Sequence, residues 1–201
     1  MHCTLLSNMR DMEAFDALLS DLVPTDRRAP SQVLDEHWIW AFTPTGYESV
    51  PTKWFGKWLL FPPLSLLDSS WGTIRTAIEE RRLDYGAKAG TLGHTKEGTD
   101  PTRRPICIYT RDWRDTAEVH RTLTVLRDLG FKESLSYKTD EDTRRGRYGK
   151  GASTYRAAAA SKHLIIPRRT REILDYFHAG REQARRAANA RLTCTRSARQ
   201  R

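Results

Sequence analysis

Apolar residues recur at three- and four-residue steps near the start of the chain, at Met9, Met12, Phe15, Leu18, Leu19 and Leu22. With Ser7 placed to cap and Pro24 placed to stop it, this spacing predicts an amphipathic helix. A polar, proline-containing linker follows over 25–31. The period then changes. His37-Trp38-Ile39-Trp40-Ala41-Phe42 is rich in aromatic and β-branched residues and ends before Pro44. Gly56-Lys57-Trp58-Leu59-Leu60-Phe61 runs into Pro62-Pro63. Both read as strands. Asp68 or Ser69 is placed to cap a helix whose buried face is Trp71, Ile74, Ile78 and, at its end, Leu83. Gly86 to Thr91 reads as a short strand. Leu92 to Pro105 reads as a long loop, and loops of that length are often functional.

Ile106-Cys107-Ile108-Tyr109 is a further strand. Asp115 is placed to cap the next helix, which presents Val119, Leu123, Leu126 and Leu129 and closes at Gly130. Leu135 to Lys138 reads as the last strand, before a basic, glycine-rich loop from Thr143 to Gly151. The order β-β-α-β-β-α-β predicts an α+β fold: a largely antiparallel, curved sheet with helices on one face. The expected organisation is an N-terminal helix and linker over 1–33, an α+β domain over 34–160 and a C-terminal extension over 161–201. In that extension Arg171 to Phe177 carries one apolar stripe at helical spacing. Disorder is expected beyond Leu192.

Composition narrows the class. At 201 residues the chain is long enough for one domain with extensions. Its longest apolar stretch, Trp58 to Phe61, is far below the ~18 residues of a membrane span. Asp11, Glu13 and Asp16 interrupt any secretory-type leader. Cys3, Cys107 and Cys194 are widely separated and form no disulfide or zinc-ribbon pattern. His2, His37, His94, His120, His163 and His178 show no metal-ligand spacing. We therefore expect a cytoplasmic protein without a metal or cofactor. The net charge is +9, but residues 161–201 hold eleven Lys/Arg against three Asp/Glu. The basic character thus belongs to the extension, which could hold nucleic acid through its phosphates. A solvated helix is the plainer reading.

No phosphate-binding loop, dinucleotide fingerprint or nucleophile elbow is present. What stands out is lysine inside strands: Lys57, Lys88 and Lys138, followed by Arg144, Arg145 and Arg147. Each lysine alone would ordinarily face solvent. Together, on neighbouring strands, they would form a cationic pocket for a phosphate. A lysine desolvated among other cations loses its proton more easily and can serve as a base. Lys88, between the small residues Ala87 and Ala89, has room beside it for a substrate, or else marks close strand packing. His94, in the long loop, is a candidate proton donor. Asp140, Glu141 and Asp142 read as turn formers and partners of the arginines. The tryptophans read first as core. Trp54, in a loop, is the candidate for an exposed stacking platform.

The ordered series Gly56 to Phe61, Trp71 with Ile74, Ala87-Lys88-Ala89, Ile106 to Asp115, Leu126 to Phe131 and Leu135 to Thr143 resembles a family labelled phosphothreonine lyase domain proteins. The resemblance spans about Glu36 to Arg156. That family is itself similar to the basophilic-leukaemia-expressed proteins, described as having a fold like the cap-binding translation initiation factor. The resemblance implies β-elimination of phosphate from phosphothreonine without metal or water. It implies Lys88 as the base, Lys57 as a lysine on the preceding strand, and Arg144, Arg145 or Arg147 as a phosphate holder. The pattern departs at Leu59, where the lyases carry a histidine acid. His94 or Lys57 would have to supply that proton.

Two further function classes stay open. One is a non-enzymatic nucleotide, RNA or cap-binding module using tryptophan faces and the basic extension. The other is a partner-binding module docking through the N-terminal helix. The expected ligand is a phosphorylated peptide or another phosphate-bearing molecule, with no membrane partner.

Overall fold

A computed structural model describes residues 26–44, 52–94, 100–147, 149 and 151–198, with backbone alone at 184 and 186–198. The expected N-terminal helix lies outside the described residues. The chain divides into two compact units, Met1–Leu164 and Ile165–Arg201.

Among the described residues of the first unit, after a 3-10 turn at Pro30–Gln32, six strands form one sheet: β1 (Trp38–Phe42), β2 (Gly56–Leu60), β3 (Gly86–Gly90), β4 (Ile106–Thr110), β5 (Leu135–Thr139) and β6 (Tyr155–Ala157). Their order is β1-β3-β4-β2-β5-β6. Every pairing is antiparallel. Helices α1 (Leu64–Glu79) and α2 (Thr116–Asp128) complete an α+β fold, with the short α3 (Asp140–Arg144) after β5. The sheet is open, and the fold is of the expected α+β class with an antiparallel sheet.

Alternation sorts the strand residues onto two faces. One carries Ile39, Ala41, Trp58, Leu60, Ala87, Ala89, Ile106, Ile108, Leu135 and Tyr137, all almost fully buried. The apolar stripes of α1 (Leu67, Trp71, Ile74, Ala77, Ile78) and α2 (Val119, Leu123, Leu126) are equally buried. Trp58 ties this face to α2, its indole N–H donating to the Val119 carbonyl at 3.0 Å.

Gly56 shows how tightly this face is packed. A Cβ there would stand 2.2 Å from the Tyr137 hydroxyl oxygen. Tyr137 is fully buried and bonded through that oxygen to Thr110, so it cannot yield. Gly56→Ala is expected to destabilise by about 3 kcal/mol through overpacking, read as a lower urea midpoint at unchanged slope.

Four expectations about these elements need correction. Helix α1 starts at Leu64, not near Asp68. Pro63 holds the N-cap position with φ −63°, a value proline prefers. Asp68 instead accepts from the Ser31 backbone N–H (3.0 Å) and hydroxyl (2.6 Å). Leu83 is buried, but beyond the helix. β5 is not the last strand, because Tyr155–Ala157 pairs on its outer edge. The expected basic loop begins inside α3, where the Thr139 hydroxyl caps the turn by accepting from the Asp142 N–H. By contrast, Asp115 does cap α2, accepting from Ala117 and Glu118 N–H groups. Gly130 follows at φ +94°, a conformation that favours glycine.

The second unit carries α4 (Arg168–Ala198), so helix continues past Leu192, where disorder was expected. Arg168, Arg169, Arg171, Arg181 and Arg185 are exposed along it. No helix among the described residues is long and apolar enough to cross a membrane.

Candidate functional site: a lysine and aromatic face

Sheet register places the chemistry. Directly opposed residues of antiparallel strands share a face. One transverse row reads Trp40, Lys88, Cys107, Leu59, Ser136, Arg156 across five pairings. The next row on that face, two residues along each strand, reads Phe42, Gly86, Tyr109, Lys57, Lys138. All three strand lysines therefore lie on one face, opposite the apolar layer.

This face has its own aromatic layer. Phe55, Tyr85, Cys107 and Tyr109 are buried, with Trp38, Trp40, Phe42 and Leu59 packed against them. Trp40 stacks nearly parallel on Phe42 (centroids 5.2 Å apart, planes 9°) and on Tyr109 (5.9 Å, 20°).

Lys88 stands in the middle of these rings. Its Nζ lies 4.1 Å from the Trp38 centroid, 4.9 Å from Trp40 and 5.8 Å from Tyr109. Among the described residues no carboxylate pairs with it. Burial lowers its pKa below the ordinary lysine value; the Lys57 charge adds to this, and Asp140 opposes it. The ring faces also favour the ammonium. Cys107, beneath Lys88, is a buried free thiol pushed up to about 11 by desolvation.

Lys57 approaches the same Tyr109 ring, its Nζ 5.4 Å from the centroid. It pairs with Asp140, the first residue of α3. Two lysine nitrogens thus lie within 6 Å of the Tyr109 ring centroid, Lys57 at 5.4 Å and Lys88 at 5.8 Å. Lys138, buried to 6 % exposure, lies directly across from Lys57.

The remaining candidates distribute unevenly. His94 lies edge-on against Trp38, at 4.5 Å, the ring that also meets Lys88. Burial, then His37, Arg104 and Lys88, lower its pKa. Arg144, Arg145 and Arg147 are exposed. Arg145 pairs with Glu141 (2.7 Å) and Arg147 with Asp142 (3.0 Å), the partnerships expected of those carboxylates. Asp140 differs, turning to Lys57. Leu59 does face the lysine side, so the position of the absent histidine offers no donor. Trp54 is half-buried rather than an open platform: the Arg114 guanidinium stacks 3.5 Å from its ring centroid and Lys53 Nζ lies 4.6 Å away. A groove of about 400 Å³ lined by Phe61, Pro63, Leu66 and Phe131 contains none of the lysines.

Sequence reading missed Trp38, Trp40 and Tyr109 as neighbours of the lysines. The signal was present in the every-other-residue spacing of Trp38, Trp40 and Phe42, which puts three rings on one face of a strand.

Fold and site together define an α+β protein with a caged lysine on an antiparallel sheet. Residues 50–143 match the family model described as basophilic leukemia-expressed protein Bles03, and the match supports a relationship to that family over this segment. The matched segment runs from β2 through most of α3. It contains Lys57, Lys88, Lys138, Tyr109 and Asp140, but not Trp38, Trp40, Arg144, Arg145 or Arg147.

Proposed function

We propose that the lysine face binds a phosphate-bearing ligand and that, on a phosphothreonine peptide, Lys88 eliminates the phosphate. The observation that carries this reading is Lys88 itself, an amine among three aromatic rings, unpaired with any described carboxylate, with Lys57 beside the same Tyr109 ring. In the step, Lys88 Nζ takes the α-carbon proton. The electron pair left behind forms the Cα=Cβ double bond, and the C–O bond breaks with its electrons on phosphate. The products are an unsaturated residue and inorganic phosphate, with no water consumed. Lys57 and Lys138 would stabilise charge on the departing phosphate, which lessens the need for the histidine that Leu59 replaces. Arg145 and Arg147 would have to leave their acidic partners Glu141 and Asp142 to join them, and the exposed Arg144 would have to reach in.

A cap-like cationic base fits this face poorly. The aromatic slot that would receive it holds Lys88's own ammonium, and Lys57 adds like charge. The basic residues of α4 favour a separate, salt-sensitive attraction for nucleic acid, which deletion of 161–201 should remove. The deciding experiment is mass spectrometry of phosphothreonine peptides incubated with the protein. Loss of the elements of phosphoric acid marks elimination. Loss of the phosphoryl group alone marks hydrolysis and overturns the assignment, as does no change across varied peptides.

A further inference from the structure

The surroundings of Lys88 suit a second kind of chemistry. A base needs only to reach a proton. A nucleophilic amine must also be free of a carboxylate partner, partly desolvated and open to a carbon centre. Lys88 meets these conditions. It is half-buried, pairs with no described carboxylate, and is ringed by Trp38, Trp40 and Tyr109. Its own strand offers only Gly86, Ala87, Ala89 and Gly90, none of which projects a bulky side chain over it. The groups facing it are Lys57 and its partner Asp140, Cys107, Tyr109 and, across Trp38, His94. Of these, Lys57 is a second cation beside the same Tyr109 ring, buried and paired with Asp140, where an anionic tail could rest by displacing that carboxylate.

We propose that Lys88 is a carbonyl-reactive lysine that forms an imine with short-chain phosphorylated aldehydes, the phosphate resting on Lys57. The Nζ lone pair attacks the carbonyl carbon, forming the C–N bond as the C=O π pair moves to oxygen. Proton transfer from nitrogen to oxygen gives the carbinolamine. Loss of one water then gives the imine, with no change of oxidation state. Lysines desolvated beside another cation carry out this chemistry elsewhere. Burial and the neighbouring Lys57 charge, which hold Lys88 below the usual lysine range, add support. The inference rests on the phosphate-binding reading of this face, but not on elimination.

The test uses the full chain with glycolaldehyde phosphate, trapped by borohydride, which delivers hydride to the imine and leaves a stable secondary amine. Peptide mapping should place the adduct on Lys88 at neutral pH, ahead of the surface lysines. Glycolaldehyde without phosphate should label Lys88 about tenfold more slowly, and Lys57→Met should erase that preference. Excess inorganic phosphate should protect. Lys88→Arg keeps the cation and the cage, and should abolish the mapped adduct while other lysines label as before. Labelling spread evenly over surface lysines, or an Lys88 adduct indifferent to phosphate and to Lys57→Met, overturns the proposal. The two readings separate cleanly: an Lys88 adduct without peptide elimination sinks only the lyase, and elimination without an adduct sinks only the imine.

Discussion

On the proposed lyase reading, Lys88→Ala is expected to abolish elimination from a phosphothreonine peptide, and Lys88→Arg to abolish it as fully. Loss of a general base lowers the rate by roughly 10²- to 10⁴-fold. Arginine preserves the charge and the stacking on Trp38 and Trp40 but stays protonated at any usable pH, so it separates base from cradle. Release of inorganic phosphate at saturating peptide is the readout. Turnover that survives in the arginine variant would place the base elsewhere.

The pH profile carries the same logic further. Only the neutral amine can accept the α-proton, so kcat/KM should rise with pH, with a midpoint below the ordinary lysine value. Lys57→Met removes a like charge that holds Lys88 down. The midpoint should therefore move up, slowing the variant most at neutral pH and least at alkaline pH. Asp140→Asn removes a charge that holds Lys88 up, so its midpoint should move down. Each unit of movement is a tenfold change in the neutral fraction on the acidic limb. Midpoints that stay fixed in both variants would mean the titrating group is not Lys88.

Much of the sheet could be read from residues because its strands announce themselves locally. Trp38 to Phe42 and Ile106 to Tyr109 combine β-branched and aromatic residues with nearby breakers, and β1 and β4 form there. The cap at Asp115 and the closure at Gly130 are likewise local chemistry. β6 was not legible because three residues cannot display a period, and its existence depends on an edge left open by distant β5. The start of α1 misled because Asp68 has the chemistry of a cap but spends it on Ser31, thirty-seven residues away. The site was half legible for the same reason. Lysines within strands are visible one by one. Which of them share a face, and that Trp38 and Trp40 lean on Lys88, depends on the order β1-β3-β4-β2-β5, which no local pattern encodes. Asp140 looked like another arginine partner because its ion pair with Lys57 crosses eighty-three positions of sequence.

Arg127→Met should be among the most destabilising single changes outside the apolar core. Arg127 is only 7 % exposed and meets no carboxylate in its hydrogen bonding. Its guanidinium donates instead to four backbone carbonyls: Ser161 (2.9 Å), Phe131, Glu133 (2.9 Å) and Ala158 (2.9 Å). These carbonyls belong to the turn after α2 and to the chain leaving β6. One side chain thus binds the helix end, the entry to β5 and the exit of the edge strand. Burial lowers its pKa, with Glu133 opposing, yet arginine remains charged throughout the accessible range. Methionine would fill the space of the stem and leave all four acceptors without their donor. Phe131 and Ser161 are half-buried while Glu133 and Ala158 are exposed, so water can replace the donor at the latter two; an acceptor it does not reach costs about 1–3 kcal/mol, for a total of about 3 kcal/mol. Lysine should recover less than half of this, since a single ammonium cannot span the fork. All six tryptophans lie between residues 38 and 113, so their fluorescence reports the first unit in a urea titration. Hydrogen exchange adds the location: Tyr155–Ala157 should lose protection before β2 and β4 do. A change within about 0.5 kcal/mol, the range of ordinary surface substitutions, would show that these contacts hold nothing together.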